Sequence, residues 1–87
     1  MLNVIYKIYK IRDRETGEVH EREIRRQGHR LKILSLDIGM PLVWEYLDGS
    51  GVMRTSRVEL FSIKTDVNDS LIVTTQNTIY TFKKCNE

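Results

Sequence analysis

Apolar and polar residues alternate with a short period along most of this chain. From Leu2 to Arg12, Val4, Tyr6 and Ile8 share one side of an extended strand, and Ile5, Tyr9 and Ile11 share the other, because successive strand side chains point to opposite faces. Both sides are apolar, which predicts a strand covered on two faces. Asp13 to Glu18 reads as a turn around Gly17, which can take positive φ without strain. Glu18 to Gln27 is open to two readings. As a strand it returns antiparallel to the first, in a hairpin centred on Thr16-Gly17. As a helix it has the i,i+4 pairs Glu18–Arg22 and Glu21–Arg25, but only Val19 and Ile24 are apolar, too few for a helical stripe. The hairpin is the expectation.

Gly28 ends this arm. Leu31 to Leu36 predicts a short strand, and Asp37 to Pro41 a loop punctuated by Gly39 and Pro41. Leu42 to Leu47 is the best-patterned strand, followed by the tight turn Asp48-Gly49-Ser50-Gly51 and a long return strand from Val52 to Ile63. A turn at Asn68-Asp69-Ser70 leads to Leu71–Thr75. Gln76-Asn77 then turns the chain into Thr78–Phe82. The expected architecture is all-β and mainly antiparallel: a small SH3-like or OB-like barrel, or a bent sheet, of about six strands with a long N-terminal β-hairpin. It is one domain over 1–87, with a charged hairpin arm at 1–30, a barrel at 31–82 and a frayed tail at 83–87.

Composition strengthens the β reading. The chain has no alanine, and Val, Ile and Thr together number 23 of 87 residues. Alanine is the best helix former, whereas branched side chains suit a pleated sheet. Charge adds an asymmetry. The net charge is +2, too small by itself to mark a nucleic-acid binder. Residues 1–32 carry 9 basic and 5 acidic groups, while 33–87 carry 5 and 7. The basic third could face phosphate or be an ordinary solvated surface. No apolar run approaches the roughly 18 residues of a membrane span, and the apolar start is cut by Lys7 and Lys10 without a signal-peptide cleavage site. Neither a membrane partner nor a leader is expected. The single Cys85 can form no intrachain disulfide, which suits a reducing cytoplasm.

Signals for catalysis are weak. His20 and His29 sit in the charged arm away from Cys85, a poor set for zinc. Asp48-Gly49-Ser50-Gly51 leads into a strand rather than a helix, unlike a phosphate loop. No cofactor, metal or enzymatic activity is expected. Two polar segments stand out as candidate ligand contacts. Arg54-Thr55-Ser56-Arg57 places guanidinium forks and hydroxyls just after a tight turn, and such forks suit phosphate or carboxylate. Thr75 and Asn77 gather a hydroxyl and an amide at a hairpin. Trp44 and Tyr46 share one strand face and would either stack on a base or fill the core. A purely structural reading of the polar groups has Thr and Ser tying down bends and Asn77 in a left-handed turn position.

The pattern Gly39-x-Pro41-Leu42-x-Trp44-x-Tyr46, Arg54-Thr55-Ser56-x-Val58 and Thr75-x-Asn77-Thr78-x-Tyr80 resembles small proteins of phages and mobile elements of Gram-positive bacteria, over residues 28–82. The resemblance implies a short β-barrel working inside a bacterial cell, in a family whose members often block host defence by binding. Three functions follow as expectations. The first is a non-enzymatic phage-encoded protein that antagonises bacterial immunity. It would sequester a cyclic or modified nucleotide with Arg54, Thr55, Ser56, Arg57, Thr75, Asn77, Trp44 and Tyr46, or hold a host defence protein with Arg22, Arg25 and Arg26 of the arm. The second is a nucleic-acid-binding accessory module using the basic arm, including Lys7, Lys10, Arg12 and Arg30. The third is a structural or assembly protein. A homo-oligomer, first of all a dimer, is expected because a small open sheet must cover its edges.

Overall fold

The computed structural model describes residues 4–64 and 69–85. Six strands run in chain order: β1 (Ile5–Asp13), β2 (Arg30–Ser35), β3 (Pro41–Tyr46), β4 (Val52–Lys64), β5 (Ser70–Thr75) and β6 (Thr78–Lys84). One short helix, α1 (Glu21–Arg26), lies between β1 and β2. Every neighbouring pair is antiparallel, and β1 also pairs with β6, so the sheet closes into a barrel. Closure removes the free edges that an open sheet would have to cover. Among the described residues no helix is long and apolar enough to cross a membrane.

The long strand β4 makes closure possible. Its first half, from Val52 to Arg57, pairs with β3, and its second half, from Val58 to Lys64, pairs with β5. One 13-residue strand therefore serves two parts of the wall. Bulges, where an extra residue bends a strand and increases its twist, lie between Ile8 and Lys10, Ile33 and Ser35, Pro41 and Val43, and Val58 and Leu60.

The bulge in β1 alters the facing expected for that strand. Ile8 and Ile11 are both buried although three positions apart, and Tyr9 is left at the surface. Strict alternation puts Ile8 and Ile11 on opposite faces. The extra residue at Tyr9 returns Ile11 to the interior, so β1 has one buried face and one outer face.

The core is aromatic. Trp44 is fully buried and meets Tyr80 and Phe82 near edge-on, at centroid distances of 5.5 and 5.4 Å. Tyr80 and Phe82, two apart on β6, lie parallel at 6.2 Å. Such arrangements add to the burial of each ring. Ile8, Ile11, Leu31, Leu42, Val58, Leu71 and Val73 fill the remaining interior.

Two expected boundaries are corrected. The hairpin after β1 starts as expected: Asp13 Oδ1 accepts the N–H groups of Glu15 and Thr16, Gly17 takes φ 74°, and Arg12 bridges Val19. It goes no further, because Glu21–Arg26 is helical rather than a returning strand. His20 caps the helix, with Nδ1 accepting the Arg22 N–H at 3.0 Å. Glu21 and Glu23 occupy the first turn and Arg25 and Arg26 the last, the arrangement favoured by the helix dipole. So short a helix needs no apolar stripe, and it is anchored by a buried carboxylate instead. The second correction concerns the tail. Lys83 and Lys84 belong to β6, and the Cys85 N–H bonds to the Ile5 carbonyl. Of the expected turn at 68–70, position 68 lies outside the described residues.

Candidate nucleic-acid interface

The two polar segments do not form one pocket. Arg54 stands opposite Val43 on β3, whereas Thr75 pairs with Val58, four positions further along β4. Thr55 is buried. Its Oγ1 accepts the Leu42 N–H at 3.1 Å and donates to the Ser56 carbonyl at 2.6 Å. Leu42 lies in the β3 bulge, where the ladder gives its N–H no strand partner, and Thr55 supplies one. Thr75 is also buried and donates to the Thr78 carbonyl at 3.1 Å, bracing the β5–β6 turn. Asn77 is not in the left-handed region, and Asp69 is the one described non-glycine residue with positive φ. Asn77 instead borders a shallow cleft with Asp13, Glu15 and Gln76, and its carbonyl accepts the Arg14 N–H. Arg14 also pairs with Glu59 and donates to the Thr75 carbonyl. Carboxylates therefore neighbour Asn77, with Arg54 elsewhere. Arg54 and Arg57 are exposed and Ser56 is half-buried.

Trp44 and Tyr46 are core residues, not stacking platforms. Trp44 has no exposed surface, and its Nε1 has no hydrogen-bond partner. Tyr46 is 6% exposed, and the Arg26 guanidinium sits 4.4 Å from its ring centroid.

The arginines of α1 are mostly folded onto the barrel. Burial raises the pKa of the Tyr80 phenol, against the opposing pull of the Arg22 charge. Arg26 covers Tyr46 and donates to Ser50 Oγ at 3.0 Å. Arg25 pairs with Glu21 at 3.5 Å on the exposed side. The residue that fixes the helix is Glu23. Its Oε1 accepts the Ile11 N–H at 2.7 Å and the Arg12 Nε–H at 2.9 Å. β2 pairs with β1 only from Ile5 to Lys7, so the next part of that β1 edge lacks a strand neighbour. Glu23 and Gln27, which donates to the Tyr9 carbonyl, complete it, meeting the rule that buried backbone groups find partners. No sequence signal distinguished Glu23 from the other charges of the arm.

A cationic surface lies on the outer face of β1. Lys7 stands opposite Arg30 on β2 and opposite Lys83 on β6. The neighbouring pair Ile8–Phe82 points inward, so Lys7 and Lys83 both project outward. Tyr9, raised by its bulge, is 36% exposed, with the Lys83 ammonium 3.9 Å and the Lys10 ammonium 5.2 Å from its ring centroid. Among the described residues no carboxylate forms an ion pair with Lys7, Lys10 or Lys83. Glu23 feels the Lys10 charge but is committed to Arg12 and Ile11. The basic character of β1 is visible in the sequence, whereas the contribution of Lys83, 76 positions away, appears only once the barrel closes.

No family model, curated protein or solved structure matches the chain.

Proposed function

We propose that the protein binds single-stranded nucleic acid across the outer face of β1 and β6. The observation that carries this reading is the Lys7–Lys83 pair. Like charges directly opposite in a sheet are destabilising, and among the described residues no acidic side chain forms an ion pair with them. A phosphate backbone would do so. Adjacent strands lie about 4.8 Å apart, so Lys7, Lys83 and Lys10 offer several cations within the reach of successive phosphates. Tyr9, at their centre, offers an aromatic ring on which an unpaired base can stack once the Lys83 ammonium leaves its face for a phosphate, a sequence-tolerant mode of binding. A convex barrel wall with a single partly exposed ring suits a flexible single strand better than a duplex groove.

The sequestered-nucleotide reading needs Arg54 and Asn77 in one enclosed site, and the strand register separates them. In a counter-defence setting, which the sequence resemblance implies, the cationic face would act by covering nucleic acid. The test is a fluorescence anisotropy titration of a labelled oligouridine at several salt concentrations. Affinity should fall with salt with a logarithmic slope of about −0.7 for each phosphate neutralised. Lys7→Glu and Lys83→Glu should each weaken binding and flatten that slope. Salt-independent binding, or full binding by both variants, would refute the proposal.

A further inference from the structure

A cleft adjoins the cationic face. Gly28, His29, Arg30, Leu47 and Asp48 line an open volume of roughly 350 Å³, many times the ~30 Å³ share of one water. It is continuous with β1. The Ile8 N–H bonds to the His29 carbonyl, the Gly28 N–H bonds to the Ile8 carbonyl, and Arg30 is the register partner of Lys7. A strand lying over Lys7 would therefore pass the mouth of this cleft.

The lining has the parts of a base-binding site. Leu47, 47% exposed, gives an apolar surface. His29 gives a flat ring held edge-on to Tyr46 at a centroid distance of 6.1 Å. Gly28, at φ 83° with nothing within 4 Å of where a Cβ would stand, leaves room. The distinctive group is Asp48. Its Oδ1 accepts the Ser50 N–H at 2.8 Å, while its Oδ2 lies 3.8 Å from His29 Nε2, beyond hydrogen-bond reach. Hydrogen bonds from Ser50, helped by the nearby Arg26 charge, favour the ionised carboxylate. A carboxylate beside a phosphate-binding face disfavours phosphate at its own position and favours a ligand edge rich in donors.

We infer that this cleft receives one unpaired guanine base, with Asp48 reading its Watson–Crick edge. The inference rests on the nucleic-acid reading above. Guanine presents two adjacent donors, N1–H and the N2 amino group, which match the two oxygens of a carboxylate as an arginine fork does. Adenine and cytosine each place a ring-nitrogen acceptor beside their amino group. Uracil flanks its one donor with two carbonyls. Each of these sets an acceptor against the Asp48 carboxylate, and a mismatch of this kind decides base choice where a side chain reads a base edge.

The experiment uses oligouridines whose single central position is guanosine, adenosine or cytidine, titrated by anisotropy. The guanosine oligomer should bind about tenfold tighter than the adenosine one, in the range of a good bidentate contact. Asp48→Asn, which keeps a turn-compatible side chain, should bring that ratio to about one in a variant shown by circular dichroism to be folded. Lys83→Glu should weaken all the oligomers together and keep the ratio. Equal binding of the oligomers by the unaltered protein would overturn the guanine assignment and leave the cationic face in place. A preference surviving in Asp48→Asn would also overturn it. Failure of every oligomer to bind would overturn the nucleic-acid reading and this inference with it.

Discussion

Glu23 Oε1 accepts the backbone N–H of Ile11 at 2.7 Å, joining α1 to the stretch of β1 that β2 leaves unpaired. The same oxygen meets Arg12 at 2.9 Å. Glu23→Ala leaves a buried N–H without an acceptor and should cost about 1–3 kcal/mol of stability. Urea denaturation of the variant against the unaltered protein measures it. A change within about 0.5 kcal/mol, typical of surface substitutions, would contradict the role.

The same carboxylate sets a pH dependence. Burial by itself raises the Glu23 pKa, but the Arg12 side chain and the Ile11 N–H together outweigh it and hold it below the ordinary value of 4.5. A pKa lowered by folding contributes stability that is present above the unfolded value and is lost as the pH falls through the folded one. The stability difference between the unaltered protein and Glu23→Gln should be full above pH 4.5 and should shrink on acidification below it. Chemical denaturation across that range checks the direction.

Thr55 and Arg54 should separate cleanly. Thr55→Val removes the acceptor for the Leu42 N–H and should cost about 1–3 kcal/mol. Arg54→Ala, at an exposed position, should change stability by less than about 0.5 kcal/mol and leave oligonucleotide affinity unaltered. Thermal unfolding and the anisotropy titration together read both variants.

The strands were legible in the sequence because most bury one face and alternate cleanly. Leu71-Ile72-Val73 and Thr78-Ile79-Tyr80 show this, with the turn Gln76-Asn77 between them. The β1 facing was not legible, because a bulge at Tyr9 adds one residue and no local pattern marks where it falls. The helix is only the second reading of Glu18–Gln27 in the sequence, because its hold on the barrel comes from a single carboxylate rather than an apolar stripe. Thr55 and Thr75 drew attention as hydroxyls, and they serve the bends, one at a bulge and the other at a turn. Lys83 escaped the candidate interface because its neighbour Lys7 is set by strand register, and closure of a barrel brings the two ends of the chain together in a way spacing cannot express.

Trp44 has no exposed surface and touches three aromatic rings. Trp44→Ala should cost about 3–5 kcal/mol, as removal of a fully buried large ring does. Its fluorescence should be blue-shifted in the native protein and move red on unfolding. An emission maximum unchanged by denaturant would contradict its burial.

The most direct measurement of the central claim is a two-dimensional amide NMR titration of the labelled protein with oligouridine. The expected shifts run through Lys7, Tyr9, Lys10 and Lys83, with Arg54–Arg57 and Thr75–Asn77 unmoved. Shifts confined to Arg54–Arg57 and Thr75–Asn77, or no shifts at all, would contradict binding at the β1–β6 face.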